Sequence, residues 1–162
     1  TGDSGGLTLS TGNAGTGASG DITLSPGTAS TVVGKIIASN AIIAKHKTAA
    51  INATATATAK EVATGYITST SAAATVITLP TGTLLGSELG AAAGTIHELY
   101  IDNTAGASTV TIAVAVNGIL SDAATTTAAS FGQLTVAAGV TGQARFTLMF
   151  SSATAYTFTR TA

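Results

Sequence analysis

Ile96-His97-Glu98-Leu99-Tyr100-Ile101-Asp102 is a run whose side chains sort cleanly by parity. Successive side chains of a strand point to opposite faces. A strand here therefore places His97, Leu99 and Ile101 on one face and Glu98, Tyr100 and Asp102 on the other. Working outward, residues 61–68, 74–79, 109–116, 133–136, 144–150 and 155–160 form six further short runs bounded by Gly, Pro, Asn, Ser or Thr. Short strands at this spacing, without βαβ alternation, predict an all-β fold of jelly-roll or β-sandwich type. Its core is expected to hold Ile77, Leu79, Leu99, Ile101, Ile112, Val114, Phe146, Leu148 and Phe150. One helical candidate, 83–89, follows Pro80-Thr81-Gly82 and stops at Gly90.

The Glu98/Tyr100/Asp102 face carries two acids. Paired carboxylates can hold a cation or serve as acid and base, but no nearby histidine or further acid completes a ligand set. The face reads instead as solvated or as an interface, with Tyr100 between the acids. Arg145 and Arg160 are expected to pair with acids such as Glu98 or Asp122. Asp102-Asn103-Thr104-Ala105-Gly106 reads as a turn into the strand around Val110–Val114.

Upstream, Gly5-Gly6-Leu7-Thr8-Leu9-Ser10-Thr11-Gly12 aligns with Gly20-Asp21-Ile22-Thr23-Leu24-Ser25-Pro26-Gly27 at a spacing of 15, and with Gly34-Lys35-Ile36-Ile37-Ala38-Ser39-Asn40-Ala41 after 14 more. Each copy reads as a short strand followed by a turn. One such unit cannot cover its own apolar face, so it must stack on neighbours or on other chains. Leu7, Leu9, Ile22, Leu24, Ile36 and Ile37 are thus the expected subunit contacts. A flexible Gly/Ser/Thr linker with chance similarity is the alternative. Residues 1–40 are read as shaft or anchor, 41–60 as a thinly packed connector and 61–162 as the head. In the connector, His46 lies between Lys45 and Lys47 and reads as solvated, and Asn52-Ala53-Thr54 matches a glycosylation sequon.

Only 8% of the 162 residues are charged and the formal net charge is -1. That balance supplies no phosphate-binding field, which argues against nucleic acid as partner. So little charge also does little to keep copies apart, which predicts a homo-oligomer. No cysteine is present, so disulfides and thiolate chemistry are excluded. Thr, Ser and Gly interrupt every apolar stretch before it reaches the roughly 18 residues of a membrane span, so no membrane association is expected. The first residue is not Met and no signal peptide is recognisable, which suggests a processed chain or part of a longer precursor. Gly2-Asp3-Ser4-Gly5-Gly6 resembles a serine-protease nucleophile turn, yet His46 and His97 both follow it, and a triad is defined by geometry that five residues cannot supply. Thr1 as an N-terminal nucleophile meets the same objection, since glycines rather than a buried strand follow it. No enzymatic site, metal or cofactor is expected.

Leu79-Pro80, the turn at Ile101-Asp102-Asn103, the Val/Thr-rich strand 110–116, Arg145-Phe146 and the aromatic strand around Tyr156 and Phe158 occur in an order that resembles a β-rich domain of structural proteins from tailed phages and large DNA viruses. The front repeats are similar to Gly/Ser/Thr repeats of viral surface proteins. The resemblance implies a virion surface component of the capsid-decoration or head-fibre type. It would be trimeric, docked on the major capsid protein or another virion protein, and exposed outside the particle. The alternative is a receptor- or carbohydrate-binding head of a phage fibre or adhesin, for which Tyr66, Tyr100 and Tyr156 would be the available aromatic platform.

Overall fold

The computed structural model describes residues 7–12, 20–24, 36–38, 42–115, 118–120 and 134–161. Thr1, the Gly2-to-Gly6 stretch, the repeat turns around Pro26 and Asn40, and the positions Val116, Asp122, Phe131 and Gln133 lie outside them. The chain divides into two units, Thr1–Ala44 and Lys45–Ala162.

In the first unit the described parts of the three repeats contain no hydrogen-bonded strand, contrary to expectation. Two or three apolar residues per copy give a strand little face to bury, and strands without a packed face are marginal in water.

The second unit holds, among its described residues, ten strands and two α-helices. In chain order these are β1 (Ala49–Ala50), β2 (Ala55–Thr56), α1 (Ala59–Ala63), β3 (Tyr66–Thr68), β4 (Thr75–Thr78), α2 (Gly82–Leu89), β5 (Ile96–Asp102), β6 (Val110–Ala113), β7 (Gly118–Leu120), β8 (Thr135–Val136), β9 (Gln143–Ser152) and β10 (Ala155–Arg160). They form a six-stranded sheet, β1-β3-β5-β9-β10-β7, and a four-stranded sheet, β2-β4-β6-β8. The β-rich class is as expected. The pairing is not that of a jelly roll, which is antiparallel throughout: β1/β3, β3/β5, β2/β4, β4/β6 and β10/β7 are parallel. From β1 to β6 the chain alternates between the sheets, so strands two apart in sequence pair side by side. This gives parallel pairing without a βαβ unit, because each crossover passes through the other sheet.

Within the stretch read as connector, 41–60, the first regular element begins at Ala49. β1 and β2 pair with β3 and β4, and Ile51 and Ala57 join the core. Residues 61–63, expected as strand, are helical because Thr58 and Glu61 form a capping box. Glu61 N–H donates to Thr58 Oγ1 (3.2 Å) and Thr58 N–H donates to Glu61 Oε2 (2.7 Å). Helix α2 starts on Thr81, whose hydroxyl accepts from Leu84 N–H (3.3 Å), and ends on the left-handed Gly90.

One buried cluster takes side chains from both sheets, including Ile67, Leu99, Phe146 and Phe158 from the larger and Ile77, Ile112 and Val136 from the smaller. Of the nine expected core residues only Val114 is half-buried rather than buried; it packs against the cluster. Phe146 and Phe158 stack at 4.8 Å and 17°, and Phe150 meets Tyr156 at 5.6 Å. Polar turns join the coils at one end. Asn52 Oδ1 accepts from Thr70 N–H (2.8 Å), and Thr54 Oγ1 accepts from Val76 N–H (3.1 Å), so both polar side chains of the sequon serve the turns. Asn103 is fully buried there, and its Nδ2 donates to the carbonyls of Ser108 (2.8 Å), Ala137 (2.9 Å) and Val136 (3.3 Å). Its amide thereby ties the turn after β5 to the segment after β8.

Candidate binding face

The register of the larger sheet builds one chemically distinct face. In β5/β9 the inward pairs are Leu99 with Phe146, Ile101 with Ala144 and His97 with Leu148. His97 Nε2 lies 3.0 Å from the Val62 carbonyl; a carbonyl only accepts, so Nε2 carries a proton. The opposite parity faces out: Glu98 with Thr147, Tyr100 with Arg145 and Asp102 with Gln143. Parallel pairing of β3 sets Tyr66 directly beside Tyr100.

On this outer face the Tyr66 and Tyr100 rings lie nearly parallel, 6.3 Å apart at 20°, and the His46 imidazole approaches Tyr100 at 5.8 Å. His46 is exposed but not isolated. It rests against Gly65, where an added Cβ would sit 2.6 Å from its Nδ1, and Gly65 has a φ of +76° that other residues rarely adopt. Tyr66 donates its hydroxyl to Asp102 Oδ2 (2.7 Å), and Tyr100 donates to Glu98 Oε2 (3.1 Å). The hydrogen bond to Asp102, followed by burial and the carboxylate's charge, raises the Tyr66 pKa above its ordinary value. Asp102 is held below the usual carboxylate range, first by the Thr104 hydroxyl (2.6 Å) and also by Thr104 N–H (2.9 Å) and Tyr66; partial burial opposes them.

Arg145 NH1 comes within 4.0 Å of Glu98 Oε1, the acid expected for it; with both side chains about half exposed, the pair adds little stability. Arg160 donates to the Thr135 carbonyl (3.1 Å) and lies 6.0 Å over the Phe146 ring, and Asp122, the other acid considered for these arginines, lies outside the described residues. On the outer face of β3, β5 and β9 a cleft of about 340 Å³ is lined by Tyr66, Tyr100, Ile101, Gln143, Ala144 and Arg145. Of the three tyrosines considered as a platform, Tyr156 is excluded. It is 1% exposed and donates to the Pro80 carbonyl (3.0 Å), and burial pushes its pKa up to about 12.

The expected subunit contacts present a different surface. Leu7, Leu9, Ile22, Leu24, Ile36 and Ile37 are 52–86% exposed within the single chain. Ile42 and Ile43, not among the expected contacts, are as open, at 80% and 90%. The adjacent Ile-Ile pair was their visible signal.

Among the described residues no group of three or more His, Asp or Glu side chains is placed to hold a metal, and no helix is long and apolar enough to cross a membrane. No protein-family model, curated protein or solved structure matches the chain.

Proposed function

We propose that this chain is a structural protein of a virus particle, a capsid-decoration or fibre component that assembles with copies of itself, as a trimer, and docks on a capsid surface. In this reading the Lys45–Ala162 unit is a sandwich-like head whose two sheets enclose the shared core, and the front segment joins subunits to one another. The observation that carries the reading is the exposure of the six front Leu and Ile side chains in a chain with only 8% charged residues. Burying each of them against another chain would contribute about 2 kcal/mol before the entropy of association is subtracted. The order of β motifs and the Gly/Ser/Thr repeats supply the viral setting through resemblance.

The test is light scattering on the full chain, on the Leu24→Asp/Ile36→Asp double variant, and on a chain reduced to residues 45–162, which carries its own core. Assembly through the front segment predicts a trimer in the first and monomers in the other two. A trimer that survives in all three moves assembly to the head. A monomeric full chain removes the assembly reading.

A further inference from the structure

We propose that the cleft on the outer face of β3, β5 and β9 is a saccharide site that takes one or two neutral pyranose rings. The cleft walls combine two kinds of surface. Tyr66 and Tyr100 supply ring surface, and Arg145 and Gln143 supply guanidinium and amide donors from the facing strand. The floor is backbone, because the side chains of Ile101 and Ala144 are buried on the inner face. A pyranose is matched to this arrangement: its C–H face packs on an aromatic ring while its hydroxyls meet donors and acceptors at the rim. A volume of about 340 Å³ stands at the small end of the range for ligand clefts, roughly 300–1,000 Å³, which limits the occupant to a terminal sugar or a disaccharide.

The rings are also held in place before any ligand arrives. Asp102 and Glu98 each accept a tyrosine hydroxyl, and His46 packs on Tyr100. Immobilised walls reduce the ordering cost of binding. The charge of the face selects against acidic sugars, since Glu98 and Asp102 outnumber Arg145, and Glu98 already draws on its guanidinium. The proposal is independent of assembly: a chain that binds sugar as a monomer would keep this site and lose the shaft reading.

The experiment is saturation-transfer NMR on the full chain with the methyl glycosides of glucose, galactose, mannose and N-acetylglucosamine at millimolar concentration, with glucuronic acid as the acidic probe. At least one neutral glycoside should receive saturation. Its affinity should fall roughly tenfold in Tyr100→Ala, and fall measurably in Arg145→Gln, a surface change that leaves the core untouched. No transfer to any neutral glycoside, transfer unaffected by both substitutions, or preferential binding of glucuronic acid would each overturn the proposal.

Discussion

Replacing Gly86 by alanine sets two effects of opposite sign against each other. In an exposed helix interior alanine is favoured over glycine by about 1 kcal/mol. Gly86, however, is a buried residue of α2, and a Cβ there would collide with the backbone carbonyl oxygen of Ala153, lie 2.9 Å from its carbonyl carbon and 3.5 Å from Phe150 Cε1. The obstacle is main chain in the tight turn between β9 and β10, so no rotamer change can relieve it. Overpacking of this kind costs about 1–3 kcal/mol, with backbone displacement at the upper end. The expected balance is a net loss of about 1–2 kcal/mol. Urea unfolding followed by far-ultraviolet circular dichroism reads it as a lower midpoint with an unchanged slope. Ser87→Ala, one residue on and exposed, is the control; it should be neutral or stabilising by up to about 0.5 kcal/mol. If Gly86→Ala proves as stable as Ser87→Ala, then α2 does not sit on the β9/β10 turn as described.

Asn103→Ala removes, at a fully buried position, three amide hydrogen bonds to the carbonyls of Ser108, Val136 and Ala137, which should cost about 2–4 kcal/mol in the same assay. Asn103→Asp should be at least as damaging at neutral pH, because a carboxylate cannot donate to those oxygens; wild-type stability in that variant would refute the assignment. For Tyr156 the folded pKa, about 12, lies above the unfolded value of 10.0. Its contribution is therefore complete below pH 10 and is lost as pH rises through 12. Tyrosinate absorbance should show a late ionisation near that pH whose amplitude falls by one tyrosine in Tyr156→Phe; an amplitude above pH 11 that the substitution leaves unchanged contradicts the burial of this hydroxyl.

What was legible in the sequence was the local alternation. The parity of 96–102 places every residue of β5 on the correct face, and β10 and α2 emerge within a residue of the expected bounds. Alternation reports which face is buried but not which strand lies alongside, so parallel pairing through the opposite sheet stayed hidden. Two-residue strands such as β1 and β2 carry no periodicity at all; only their partners in β3 and β4 define them. Helix α1 was a different kind of miss, for Thr58 and Glu61 spell a capping box in plain sequence. The binding face was half visible: Glu98, Tyr100 and Asp102 share a parity, but Tyr66 lies 34 residues from Tyr100 and is brought beside it by a coil that also contains β4 and α2.

That same register makes the core and the outer face one structural unit. Because side chains alternate with a period of two, the pairing that sends Leu99 and Ile101 inward sends Glu98, Tyr100 and Asp102 outward. Placing Ile67 beside Ile101 in the core also fixes Tyr66 beside Tyr100 outside. A slip of β3 by one residue would expose Ile67 and bury Tyr66, so the apolar cost of exposing an isoleucine, about 2 kcal/mol, defends the tyrosine pair without any contact made for that purpose. The front segment has no such lock. Its Leu and Ile side chains have no inner face to satisfy, and nothing within the described chain selects one register over another. The two units therefore differ in what holds them: the Lys45–Ala162 unit has its own core, whereas every described side chain of the front segment is exposed.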